Sequence, residues 1–332
     1  MRKIFALFAS LLLALSVSAE KGSWNTSEYK LVVYYNQNTQ PGDAIFVRLM
    51  LETTNDTLIK TGFPCTGTAK LYSGSERAEK DLAHSDFYSI SEESSDKLHK
   101  TVLLTGLPLS SYLKAGDYTV FVTFSPFGMP EAEFKLPVKI SAKEFVKETI
   151  QLNAQNTAIK TNDSNERWQQ IKKLNSILEA VNTGSIYCTS AFVPPTPATR
   201  RTSFFADRRV FAYSNGKSST NLHYGIDYGI PTGSEVRACG QGKVVLAESR
   251  ITTGWSVCIE HLPGLYSLYY HMSELKVGVG DIVKAGDLIG LSGATGLATG
   301  PHLHWEVRLN MEAVSPDFFV SDFTFEQAAQ AR

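Results

Sequence analysis

Seven histidines occur in 332 residues, and two of them stand one residue apart in TGPHLHWEV, residues 299–307. The stretch reads as a strand, where side chains i and i+2 share a face, so His302 and His304 are expected side by side. Upstream, HYGID sets His223 and Asp227 four apart in a Gly-containing loop, and LYYHMSE puts His271 in or just after a strand. Imidazole and carboxylate are both zinc ligands at neutral pH. Two histidines and one carboxylate leave a fourth tetrahedral position for water, the open arrangement of a catalytic site. Singly, each piece has an ordinary structural explanation. A loop histidine, a strand-end histidine and an exposed His-x-His pair are all common. Their occurrence in three segments of one domain is what points to a site.

These residues need a frame to hold them. From about Thr202 glycine becomes frequent and strands become short: EVRAC, KVVLAE, WSVCIEH, YSLYYHM, DIVKAG, LIGLSG and HLHWEVRL. No helical period interrupts them before the C-terminal tail, so residues 202–325 are expected to form an antiparallel all-β domain. His261, in CIEHLPG, falls where a strand runs into a Pro-Gly turn and is expected to be a structural residue bonded to backbone.

The stretch from 202 to about 309 closely resembles the lysostaphin-type (LytM-like) zinc metallopeptidases, a family of peptidoglycan endopeptidases. The resemblance is carried by TSFFADRR (202–209), HYGIDYGIPTGSEVRACGQGKVV (223–245), LYSLYYHMSEL (265–275) and VGDIVKAGDLIGLSGATGLATGPHLHWEV (279–307). It implies that His223, Asp227 and His304 hold one Zn2+ per chain. It also implies that His271 and His302 flank the open coordination position. One of that pair would take a proton from the attacking water and the other would hydrogen-bond the tetrahedral oxyanion. The substrate implied is a peptidoglycan peptide, in a cross-bridge or a stem. A non-catalytic wall-binding protein or activator of cell-wall amidases is one alternative, and a secreted bacteriolytic toxin is another.

The rest of the chain bounds the setting. MRKIFALFASLLLALSVSA has a charged start, an apolar core and a small-residue end, the pattern of a cleaved signal peptide over residues 1–19. The chain is therefore expected in the periplasm, outside the cell or at the cell wall, with no stable membrane insertion after cleavage. Net charge is −1, and no basic stripe supports nucleic-acid binding. Residues 20–142 carry short strands rich in β-branched and aromatic residues, which suggest an immunoglobulin-like β-sandwich, with Tyr118 in LKAGDYTVFV as a corner tyrosine. His84 and His99 in that unit are expected on the surface.

Residues 143–201 read as a helical and Pro-rich linker. A helix is predicted over 163–183, capped by Asp163 or Ser164, with Trp168, Ile171, Leu174, Leu178 and Val181 on one face and Trp168 packing on a neighbouring domain. The fold class expected is thus mainly β in two units with a short helical connection. The first unit would position or restrict the second, and a fragment starting near Phe192 would fold and act alone. Of the four cysteines, Cys65, Cys188, Cys239 and Cys258, the pair Cys239–Cys258 is the expected disulfide in an exported protein.

Overall fold

A computed structural model describes residues 21–321, 323 and 325. The expected signal peptide, 1–19, lies outside the described residues. The chain is mainly β. Among the described residues no helix is long and apolar enough to cross a membrane.

Two five-stranded sheets form the N-terminal half. One is built around Lys30–Tyr35, Ala44–Thr53 and Leu98–Pro108, the other around Thr66–Ser73, Gly116–Ser125 and Ala132–Ile140. Alternating apolar residues from both sheets, among them Val33, Leu49, Leu103, Leu71, Val120 and Val122, bury a common core. The Tyr118 hydroxyl donates to the Lys114 carbonyl at 2.9 Å. His99 is a correction. It is buried rather than on the surface, paired with Glu92 at 2.9 Å and packed against Phe127. Its cross-strand partners Thr53 and Ser94 are polar, and the Phe127 ring, from a turn distant in sequence, covers it. His84 is exposed, as expected.

The C-terminal half is an antiparallel sheet whose central strands are Gly225–Tyr228, Leu303–Leu309, Leu265–Met272, Gly254–Leu262 and Gly242–Arg250, in that spatial order. Its core absorbs Phe46, Tyr88 and Leu104 from the first half, so the two halves share apolar packing. Phe46 meets the rings of Phe318, Phe319, Phe323 and Phe325. Polar contacts cross the same boundary: Arg208 donates to the Ser111 hydroxyl and carbonyl, and Asn310 to the Gly106 carbonyl.

The connecting segment is more ordered than a linker. Strand Lys147–Gln151 pairs in parallel with Arg208–Ala212, which pairs with Ser218–Leu222. Helix Ala154–Lys160 follows, capped by Asn153. The predicted helix is present as Asn165–Leu178 with Ser164 as its cap, but it stops before Val181. Leu178 alone on it is buried. Trp168 stays half-exposed and does not pack on a neighbouring domain, because the helix meets the sheet through the polar residues Arg167 and Gln170 and, at its C-terminal end, through Leu174, Ile177 and Leu178.

The cysteines are a second correction: all four are free. Cys239 lies in the main core of the C-terminal half and Cys258 in a separate cluster with Leu178 and Leu246, so the expected pair is divided between two cores. His261 is fully buried. Its Nδ1–H donates to the Gln241 carbonyl at 2.7 Å, and its Nε2 pairs with the Ser267 hydroxyl at 2.7 Å, as its structural role required.

Candidate metal and catalytic site

All five candidate residues, His223, Asp227, His271, His302 and His304, line one groove of about 600 Å³. Strand pairing does much of the work. Asp227 and His304 are direct partners across the Gly225–Tyr228 and Leu303–Leu309 strands, and Tyr270 is the partner of His304 on the other side. The Tyr270 ring stacks on the His304 ring at 5.3 Å and 5°. Gly225 is required here. A Cβ on it would lie 2.2 Å from the Trp305 carbonyl oxygen and 2.8 Å from His304 Nε2.

Three ligand atoms converge. His223 Nε2 lies 3.0 Å from Asp227 Oδ1, His304 Nδ1 lies 2.8 Å from the same oxygen, and the two ring nitrogens are 2.9 Å apart. No other His, Cys, Asp or Glu group of three among the described residues is placed to hold a metal ion.

The opposite ring nitrogens fix which atoms face inward. His223 donates its Nδ1–H to the Phe204 carbonyl at 2.8 Å, and His304 donates its Nε2–H to Glu306 at 3.2 Å. That leaves His223 Nε2, His304 Nδ1 and Asp227 Oδ1 as three electron-pair donors pointing at one another in a buried place. Such a set needs a positive charge between its members. The titration behaviour says the same. Burial pushes the Asp227 carboxyl up, but His223 and His304 hold it well below the usual range. Burial pulls His304 down, but its bonds to Asp227 and Glu306 win and raise it to about 9. A proton meets the demand for charge with one donor only, whereas a dication satisfies all three. The donor set therefore fits a zinc ion.

Two further histidines stand beside this cluster. His271 donates Nδ1–H to the Thr295 carbonyl at 2.7 Å, and His302 donates Nδ1–H to the Gly300 carbonyl at 2.8 Å. Each thus keeps a bare Nε2, and that of His302 lies 3.8 Å from Asp227 Oδ1. Their ring centres are 4.6 Å apart. Burial, and next the neighbouring His302 and His304, pull His271 down to about 3, so it is neutral.

His271 reaches the groove by a bulge. Val257 pairs with Tyr269 and Trp255 with Met272, so Tyr270 and His271 together oppose Ser256. His271 takes the left-handed backbone conformation, φ 61°. Two successive residues of one strand can then line the same groove.

Four residues that the sequence reading did not single out hold the cluster. Arg209 donates Nε–H to Glu148 at 2.7 Å and Nη2–H to Asp227 Oδ2 at 3.2 Å. Glu306 is buried between His304 and Arg308. His302, His304, Glu306 and Arg308 occupy every second position of HLHWEVR, a signal that period-2 reading could have extended from the histidines. Glu148 had no such signal, because it comes from a strand distant in sequence.

Residues 221–316 match the model of Peptidase family M23. This stretch is an M23 peptidase domain. Over 95 residues it is 42% identical to the DD-carboxypeptidase/endopeptidase Mpg of Neisseria meningitidis, a match covering 29% of this chain and 22% of that protein. Over 92 residues it is 41% identical to the peptidoglycan DD-endopeptidase ShyB of Vibrio cholerae, covering 28% of this chain and 22% of that one. Among solved structures, the catalytic domain of lysostaphin from Staphylococcus simulans is 31% identical. That match covers 36% of this chain and 91% of that one, with a TM-score of 0.32. The chain spans about a quarter of the length of the curated relatives it matches. The five candidate residues all fall inside the M23 stretch, whereas Phe204, Arg209 and Glu148, which brace them, lie before it.

Proposed function

We propose that the chain is a zinc-dependent endopeptidase that hydrolyses peptide bonds in peptidoglycan cross-bridges or stem peptides and remodels the wall. The observation that carries this reading is the convergence of His223 Nε2, Asp227 Oδ1 and His304 Nδ1 beside two histidines whose bare Nε2 atoms face the same groove. The names of the Neisseria and Vibrio relatives support the substrate class. A wall substrate in turn supports export to the periplasm or the cell surface.

In this reading His223, Asp227 and His304 hold the metal. When bound, zinc supplies a Lewis acid for the scissile carbonyl and brings the pKa of a water from ~15.7 to near 7. The protein does the rest. His271, which burial keeps neutral, and His302 each present a bare Nε2 that can accept a proton or, once protonated, donate a hydrogen bond to the developing oxyanion. The carbonyls of Thr295 and Gly300 fix both rings in the tautomer that this task needs. Arg209 and Glu306 hold the ligands Asp227 and His304 in place without touching substrate.

The test is digestion of purified peptidoglycan by the mature protein, with released ends identified by mass spectrometry. New amino termini within cross-bridges or stems, abolished by chelator and restored by zinc, are expected. Intact peptide with zinc bound, together with stimulation of a cell-wall amidase, would replace this reading with the activator alternative.

A further inference from the structure

The groove carries charge that the proposed chemistry does not use. Three carboxylates line it, Glu148, Asp227 and Glu306, and all three are engaged. Glu148 and Asp227 share Arg209, while Glu306 lies between His304 and Arg308. Lys160 lines the same groove, and among the described residues no carboxylate lies within 4.0 Å of it. Its Nζ stands 4.3 Å from the centre of the Phe211 ring, which also lines the groove. Arg167 and Arg209, both of its own sign, stand near enough to repel it.

The position of Lys160 is built. It ends the helix Ala154–Lys160, and that helix is tied at two points to opposite loops. Asn156 donates to the Ala298 carbonyl at 3.1 Å, and the Ser214 N–H donates to the Thr157 hydroxyl at 3.0 Å. A lysine at a helix C-terminus gains a little from the helix dipole wherever its side chain points. The dipole does not explain a half-buried ammonium turned onto a groove wall among like charges. The Phe211 face meets part of what a half-buried ammonium needs, and an anion would meet the rest.

From this placement, and resting on the reading of the groove as a peptidase site, we infer that Lys160 binds a carboxylate of the substrate peptide. The carboxylate has two sources, a free C-terminus or a carboxyl borne within the peptide, and recognition of either would set the register of the chain across the metal site. Burial lowers the pKa of Lys160, with Arg167 and Arg209 adding to it, and an incoming anion would reverse that shift. The segment that carries Lys160 precedes the M23 stretch.

The experiment uses the full mature protein loaded with zinc and matched synthetic peptides. One pair differs by C-terminal acid against amide, the other by an internal carboxyl against its carboxamide. Turnover is read as kcat/KM, and binding of the same peptides is read by calorimetry on the His302→Ala protein, so that the comparison survives if no peptide is cleaved. The acid form of one pair is expected to be preferred by about tenfold or more, the scale of a charge-assisted hydrogen bond. Lys160→Met should abolish that preference by weakening the acid form alone, and Lys160→Arg should keep it. The pair that responds names the source. Equal effects of Lys160→Met on acid and amide forms, or none on either, would overturn the inference. Cleavage with no acid preference sinks this inference alone, whereas acid preference in binding without any cleavage sinks the peptidase reading alone.

Discussion

Asp227 and His304 face each other across two antiparallel strands, and Asp227 Oδ1 lies 2.8 Å from His304 Nδ1. Backbone register, and not loop conformation, therefore sets this half of the cluster. His223 joins them from the loop just before the Asp227 strand, held by the Phe204 carbonyl. A site built on paired strands is rigid before any metal arrives, which favours both affinity and catalysis.

The division of roles among the histidines can be measured. Mature protein purified without chelator should hold about one zinc per chain. His304→Ala and Asp227→Ala should lose most of it. His271→Ala and His302→Ala should keep zinc but turn over about 10²-fold more slowly or worse. Elemental analysis beside a peptide-cleavage assay decides the matter. Zinc loss in His302→Ala equal to that in His304→Ala would void the roles given to the pair.

Arg209 ties the second oxygen of Asp227 to Glu148. Arg209→Met is expected to weaken zinc binding by about 10–100-fold, the usual scale for removing a group that orients a ligand. Glu148→Gln should act in the same direction with a smaller effect. Arg209→Lys should not restore affinity, since an ammonium cannot span both carboxylates as a guanidinium does. Competition with a chelator of known affinity gives the numbers, and unchanged affinity in Arg209→Met would refute the bracing role.

The sequence alone predicts that a fragment starting near Phe192 acts as well as the mature chain. The structure shifts that expectation. Such a fragment lacks Lys147–Gln151, and with it Glu148 and the parallel partner of Arg208–Ala212. It also lacks Phe46, Tyr88 and Leu104, which complete the core. It should be less stable and bind zinc more weakly than the full chain. Equal melting temperature and equal zinc affinity in the two proteins would show that the N-terminal half braces nothing.

His261 gives a pH signature. Burial lowers its pKa from 6.5 to about 4 in the folded protein. Between those values the unfolded chain binds more protons, so stability rises with pH there. The contribution, about 3 kcal/mol from the size of the shift, is present above pH 6.5 and is lost as pH falls toward 4. Denaturant unfolding at pH 7.5 and 4.5 should show a larger loss for the unaltered protein than for His261→Gln. Identical losses would mean that His261 titrates normally.

What the sequence by itself determined is local. Period-2 alternation places His302 and His304 on one face, strand and turn composition marks a mainly β chain, and the residue types select the five candidates that meet in the groove. Asp163 or Ser164 reads as a cap, and Ser164 caps the helix that follows. The tertiary structure decided everything that depends on distant partners. Arg209 is one of two adjacent arginines in DRR, and only the strand pairing shows that it meets Asp227 while Arg208 reaches back to Ser111. The bulge that turns His271 into the groove depends on the slip against Ser256 in another strand. His99 looks exposed among polar neighbours in sequence, and is buried because Phe127 folds over it from a distant loop. Cys239 and Cys258 look like a pair because both lie in strand-like stretches of one domain, and they are parted by the two cores they enter. Residue type and local period are encoded position by position. Burial, register slips and ion pairs are properties of two segments at once, and neither segment specifies them alone.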